Sequence, residues 1–238
     1  MIDLYTYPTP NTWKVGIMLE ECGLPYRIHL IDITKGEQLS PTFGTISPNH
    51  RVPAIVDGDA PGGPRPVFES GAILIHLAER TGRFLAAAGP ERTAALEWLF
   101  WQVGGLGPMA GQAHHFLRYA PEGNGYAADR YVKECARLYG VLDRRLGAVE
   151  WLAGAGYGIA DMATWGWIWF HHMHGQSIDD FPAVRRWFDA MAARPAVKVA
   201  RLIGTQTFDP DRRAALAGWS YQGDVRAGAS VSRVKDGQ

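Results

Sequence analysis

Met1 to Tyr7 alternates, with Ile2, Leu4 and Thr6 set against Tyr5 and Tyr7, which is the period-two pattern of a half-buried strand. Pro8-Thr9-Pro10-Asn11 breaks it. Val15, Met18, Leu19 and Cys22 then keep helical spacing until Gly23, a C-terminal stop, and Tyr26, Ile28 and Leu30 alternate again as a second strand in the βαβ manner. Ala54 to Val56 is a short apolar run entered through Pro53, and DGDAPGGPRP separates it from a strand at Val67-Phe68. A helix face of Ile73, Leu74, Leu77 and Ala78 follows. Glu69 and Ser70 therefore fall at a strand-to-helix junction, which offers free backbone N–H groups, a hydroxyl and one carboxylate. Pro53 donates no ladder hydrogen bond and restrains Val52 to an extended conformation, so the Val52 backbone is expected to face sideways, towards a ligand. Parallel βαβ strands place ligands at their carboxyl ends, where the Pro8–Asn11 loop and the Arg51–Pro53 turn both lie.

The second half is helical. Gly82 to Pro90, alanine-rich and ended by Gly89-Pro90, reads as a linker. Ala95, Leu96, Leu99, Val103 and Met109 form one stripe, interrupted by Gly104-Gly105-Leu106-Gly107-Pro108, which predicts a bent helix over a cleft. Tyr126 to Leu146 is the next helix, with Tyr131, Cys135, Leu138 and Leu142 inward and Arg130 off that stripe. Tyr157-Gly158-Ile159-Ala160-Asp161-Met162 reads as a capping box and hydrophobic staple with glycine at the cap. Trp165, Ile168 and Trp169 fill the helix that follows, and the tryptophans are read as core. Pro182 to Arg194 is the last amphipathic helix before Arg194-Pro195. The expected organisation is residues 1–82, a linker at 83–90, a helical domain at 91–203 and a polar, glycine-rich extension at 204–238 anchored by Trp219 and Tyr221.

A chain of 238 residues that is 47% hydrophobic supports two such cores. Lys+Arg and Asp+Glu are both 24, so no global field draws it to nucleic acid or an anionic membrane, and a small-molecule partner is expected. The N-terminus lacks a basic end followed by an apolar run, and no long uncharged apolar stretch occurs, which predicts a soluble, cytoplasmic protein. Cys22 and Cys135 form neither a disulfide framework nor a zinc pattern and read as buried free thiols. His114 and His115 point about 100° apart on a helix and cannot share an ion. No third ligand is suitably spaced for them, and the cluster His171, His172 and His174 fails similarly although His171 and His174 share a face, so no metal is expected.

The wording V-P-A-I-V followed by F-E-S-G-A-I-L-I-H-L-A resembles the glutathione-binding half of the glutathione transferase fold. The resemblance implies an α/β N-terminal thioredoxin-like domain, β-α-β-α-β-β-α, and an all-α C-terminal domain. It implies that Pro53 is cis, that Val52 pairs its backbone with the cysteinyl part of glutathione, and that Glu69-Ser70 holds the γ-glutamyl end. Gln38 would reach the glycyl carboxylate, and Arg51 either serves that anionic end or faces solvent. The tetrapeptide P-T-P-N, with ISPN near residue 46, W-L-F-W-Q-V-G-G-L-G-P-M from Trp98 and H-H-F at 114, resembles the bacterial nu class, associated with glutathione-dependent disulfide reduction more than with conjugation. There Arg130 would cross a homodimer interface to the neighbour's glutathione.

Physics alone makes the first loop sufficient. A thiol of reference pKa about 8.5 is lowered two units by about 2.7 kcal/mol of anion stabilisation. Hydrogen bonds to charge contribute about 1.5 to 3 kcal/mol each and a helix N-terminus roughly 0.3 to 1. Thr9, Asn11 and a helix beginning near Thr12 are then the expected catalytic groups, the alternative for both side chains being ordinary turn and N-cap chemistry. Tyr7 precedes the turn and reads as packing, and Cys22 as a small hydrophobe. The expected activity is disulfide reduction by glutathione as co-substrate, with weak conjugation or peroxidase activity. A conventional transferase acting on electrophiles and a non-catalytic protein-binding module are the rivals.

Overall fold

Alternation along β1 (Ile2–Thr6) buries Ile2, Leu4 and Thr6 and leaves Asp3 and Tyr5 half-buried. In the computed structural model, which describes residues 1–154, 156–205 and 210, this strand pairs parallel with β2 (Tyr26–Leu30), Ile2 facing Tyr26 and Thr6 facing Leu30. On its other side it runs antiparallel to β3 (Ala54–Asp57), with Leu4 opposite Ile55. The edge strand β4 (Arg65–Phe68) completes the order β2-β1-β3-β4, and Pro66 is tolerated there because an edge strand has one side free of ladder bonds.

Helix α1 (Pro10–Cys22) starts earlier than the expected Thr12, because Pro10 suits the first helical position and Thr9 caps it. It lies in the interior, with every residue from Thr12 to Leu19 buried, packed against α3 (Ser70–Thr81), α7 (Ile159–Ile168) and α9 (Pro195–Ala200). The second helix of the expected β-α-β-α-β-β-α order is the short α2 (Pro41–Ile46), after a 3₁₀ turn at Glu37–Leu39, and α9 is an addition, where Pro195 opens a helix instead of closing one. The expected linker is shorter, since α4 (Gly89–Trp101) begins at Gly89. The expected bend is a π-helical segment, Gln102–Leu106, that joins α4 to α5 (Gly107–Arg118). Helices α6 (Gly125–Ala148) and α8 (Pro182–Ala193) follow the predicted amphipathic runs. The expectation for the tail from 206, including its Trp219 and Tyr221 anchors, lies outside the described residues except for Pro210.

Small residues set how closely the parts approach. A Cβ on Gly16 would stand 2.9 Å from Ile203 Cδ1 and 3.2 Å from Ala200 Cβ, so glycine brings α9 onto α1. A Cβ on Gly166 would stand 2.9 Å from the Pro10 carbonyl oxygen, so glycine also lets α7 abut the first turn of α1. The same logic explains the glycine in the capping box: a Cβ on Gly158 would come within 2.8 Å of the Phe84 carbonyl. Trp13 of α1 packs edge-on to Trp169 and stacks on Phe170, while Trp165 stacks on Phe188, which makes one aromatic core across α1, α7 and α8.

Asp161 ties this core together. Its carboxylate accepts from the backbone N–H of Leu152 (3.0 Å) and Gly158 (3.0 Å) and from Trp187 Nε1 (2.8 Å), all in the interior. Asp161→Ala would leave three buried donors unmet, at about 1 to 3 kcal/mol each before any relaxation. The expected loss is about 3 to 5 kcal/mol of unfolding free energy in urea titration, with Asp161→Asn milder because one acceptor oxygen remains. A loss under about 1 kcal/mol for the alanine variant would contradict this role.

Candidate active site

The loop between β1 and α1 is fixed by its own hydroxyls. Thr12 Oγ1 donates to the Tyr7 carbonyl at 2.6 Å and accepts from the Thr9 N–H at 3.1 Å, while Thr9 Oγ1 accepts from the Thr12 N–H at 3.4 Å. This reciprocal cap holds Asn11 in the first helical turn. Across from it Trp167 Nε1 donates to Asn11 Oδ1 at 3.0 Å. An indole nitrogen only donates, so the amide orientation is settled, and the Asn11 NH₂ remains to serve another partner.

Asn11 lines two cavities. The larger, about 550 Å³, is walled by Asn11, Lys14, Glu69, Ser70, Gln102 and Trp167, with Arg51 and His115 at its rim. The smaller, about 260 Å³, is formed by Asn11, Ser47, Asn49, Val52, Pro53 and Ser70, and shares Arg51 and Glu69 with the first. The Val52–Pro53 bond is cis. Buried Ser47 braces this turn by donating its Oγ–H to the Arg51 carbonyl at 2.9 Å. Glu69 has φ 69°, a left-handed conformation that costs a non-glycine residue energy. Asn49 Nδ2 holds its carboxylate at 3.2 Å. Ser70 opens α3, so the free N–H groups of that helix's first turn face the same end of the cavity.

Lys14 is the buried cation of the site. It is 1% exposed, and its Nζ donates to Gln102 Oε1 at 2.6 Å and to Ser70 Oγ at 3.4 Å. Burial pulls its pKa down to about 7, partly opposed by the negative charge of Glu69. The arrangement can therefore bind an anion with amide and helix-terminal donors, an ammonium with Glu69, and a second carboxylate near Arg51.

Of the residues proposed from sequence, Asn11, Arg51, Val52, Pro53, Glu69 and Ser70 come together around these cavities. Thr9 does not line them, and its Oγ1 accepts the Thr12 N–H in the cap. Gln38 sits in the 3₁₀ turn, its carbonyl bonded to His50 Nδ1 at 2.8 Å and its Oε1 buried without a partner. Arg130 lies instead on α6, in an open groove of about 720 Å³ with Met109, Tyr126, Tyr131 and Arg137. Tyr7 is engaged through its carbonyl and lines neither cavity. The expectation that both cysteines are buried is corrected for Cys22, which is half-buried beside Met18 and Thr81, because the C-terminal end of α1 reaches the surface. Burial pushes the Cys135 thiol up to about 12. Among the described residues no group of three His, Cys, Asp or Glu side chains is placed to hold a metal ion, and no helix is long and apolar enough to cross a membrane. His171 and His174 instead bond to the Gln176 carbonyl and to Tyr139.

Sequence reading missed Lys14, Asn49, Gln102 and Trp167. Trp167 reads as core with its neighbours, yet it is half-buried and faces the cavity. The available signal for Lys14 is its place three residues after Asn11, as the one charged residue in the run Trp13 to Leu19.

Two family models match the chain: glutathione S-transferase, N-terminal domain, over residues 9–80, and glutathione S-transferase, C-terminal domain, over 107–195. It is 50% identical over 204 residues, 85% of this chain and 95% of the relative, to the disulfide-bond oxidoreductase YfcG of Escherichia coli. A crystal structure of a glutathione transferase family member from Pseudomonas fluorescens, with two glutathione bound, superposes with a TM-score of 0.79 at 44% identity, covering 84% of this chain and 92% of that one. A glutathione transferase from Pseudomonas putida, with one glutathione disulfide bound per subunit, gives 0.79 at 42% identity over 84% and 90%. On these matches and on the paired sheet and helical units described above, the chain is an enzyme that belongs to the glutathione S-transferase family.

Proposed function

We propose that this is a cytoplasmic nu-class enzyme that uses bound glutathione to reduce disulfides, with Asn11 as the donor to the reacting sulfur. The Asn11 amide carries the reading: Trp167 occupies its oxygen, which leaves its N–H groups for an anion in the cavity. One hydrogen bond to a thiolate contributes about 1.5 to 3 kcal/mol and the α1 N-terminus roughly 0.3 to 1, against about 2.7 for a two-unit fall in thiol pKa. Thr9 serves this indirectly, by fixing the turn. Glu69 and the α3 N-terminus suit the γ-glutamyl ammonium and carboxylate, the Val52 backbone suits the cysteinyl amide, and Gln38 and Arg51 suit the glycyl carboxylate. The relatives with two glutathiones or a glutathione disulfide bound support two thiols acting in one site.

The chemistry balances without a protein thiol. A glutathione thiolate attacks one sulfur of RSSR, forming a mixed disulfide and expelling RS⁻, which takes up a proton. A second glutathione thiolate attacks the glutathione sulfur of that mixed disulfide, releasing the second RS⁻ and leaving oxidised glutathione. Two glutathiones thus supply two electrons and two protons. Arg130, exposed on its groove and lining neither site cavity of its own chain, suits a homodimer in which it reaches the partner's site.

Side-by-side turnover of a small disulfide and an aromatic halide tests the reaction class. The disulfide is expected to be the better substrate, and a preference for the halide would favour a conventional transferase. Asn11→Ala is expected to lower disulfide turnover by about one to two orders of magnitude with the thermal midpoint little changed, whereas Tyr7→Phe has little effect. Unchanged turnover in the asparagine variant would remove Asn11 from the site. The double variant Cys22→Ala with Cys135→Ala is expected to keep its reductase activity, since the Cys135 thiol is held protonated by burial and Cys22 lines neither cavity. Loss of activity in a well-folded double variant, or a glutathione adduct trapped at Cys22 during turnover, would overturn the mechanism.

A further inference from the structure

Lys14 has no part in the chemistry above, yet its place in the fold is costly. Its two side-chain partners, Gln102 Oε1 at 2.6 Å and Ser70 Oγ at 3.4 Å, are both neutral. Gln102 is itself buried and packs so close to α5 that a Cβ on Gly107 would stand 2.8 Å from its Nε2, an atom left without a hydrogen-bond partner. A buried ammonium with no anion among its hydrogen-bond partners is unfavourable, which is why burial brings the free amine close to neutrality at physiological pH. Ser70 stands at the head of α3, one hydroxyl away from that amine and facing the cavity.

We propose that Lys14 is a positioning residue for a ligand carboxylate: it takes up a proton as the carboxylate binds at the head of α3 and, by donating to Ser70 Oγ, turns the serine's own hydrogen onto that carboxylate. This rests on reading the cavity as a glutathione site. Hydrogen bonding from the amine occupies a lone pair of the serine, so the hydroxyl hydrogen is free to point at the incoming anion. The anion in turn favours the charged amine, so binding and protonation are linked. Other ionisable groups on the surrounding elements are accounted for. Glu69 opposes the burial effect, and Arg51 and His115 line the cavity. On α3, His76 and Arg80 are engaged with Asp57. On α7, Asp161 is held by its three donors. After α9, Arg201 stacks over Trp169, and Lys198 is exposed.

The test is calorimetric titration of the enzyme with S-methylglutathione, which has the carboxylates but no ionisable thiol, at pH 8 in phosphate and in Tris, whose ionisation enthalpies differ. At that pH roughly a tenth of the free enzyme carries the proton on Lys14, so uptake of about half a proton or more per ligand is expected. Lys14→Met is expected to abolish the uptake and weaken affinity at pH 7 about fivefold. His115→Ala, which removes the cavity imidazole, is expected to retain the uptake, and decides the assignment should the methionine variant not fold. Binding with the same enthalpy in both buffers overturns the lysine proposal alone, as does uptake that survives Lys14→Met or vanishes in His115→Ala. Absence of any binding to the wild-type enzyme overturns the glutathione reading and this proposal with it.

Discussion

The site depends on how closely α7 approaches the first turn of α1. Gly166 leaves room for the Pro10 carbonyl, and only at that separation does Trp167 reach Asn11. The tryptophan then does two jobs: it walls the cavity and decides which end of the asparagine amide faces inward. The same helix carries Asp161, whose three buried donors anchor α7 to the loop before it and to α8. Fold stability and amide orientation are therefore held by one element, and a change that shifts α7 acts on both.

Around that contact the electrostatics divide the cavity by sign. Two helices, α1 and α3, begin at it, so their positive dipole ends favour anions at both places, with the uncapped N–H groups at the head of α3 as donors. Glu69, forced to a left-handed backbone and steadied by Asn49, supplies the one carboxylate among the described residues that line the cavity. Lys14 adds a cation whose charge is adjustable because it is desolvated. A zwitterionic ligand with a further thiolate meets complementary groups at each of its charges, which a chain of zero net charge provides locally and without any long-range field.

Much of this was legible in the sequence because its causes are local. Strand alternation, the proline before Ala54 and the Glu69-Ser70 junction are written within a few residues of one another, and the π segment announced itself through its glycines. What escaped needs tertiary distance. Trp165 and Trp169 are one helical turn apart and share the core face, but Trp167, two residues from each, points the other way. Asn11 and Trp167 are 156 residues apart, and Lys14 and Gln102 are 88 apart, so no pattern along the chain links them. Thr9 shows the opposite limit: the loop pattern is compatible with both a thiolate donor and a helix cap, and what the geometry displays is its Oγ1 accepting the Thr12 N–H in the cap. Pro195 likewise looked like a stop because proline ends helices from within and opens them at the first position.

The central claim is that the first turn of α1 stabilises a sulfur anion, and the thiol pKa of bound glutathione reports this directly. Titrating thiolate ultraviolet absorbance of the saturated complex against pH, with the same complex of S-methylglutathione as the blank, gives that value. The expected result is a midpoint about one to two units below the free thiol's reference value of about 8.5. A midpoint at or above the free value would contradict the claim, whatever the turnover.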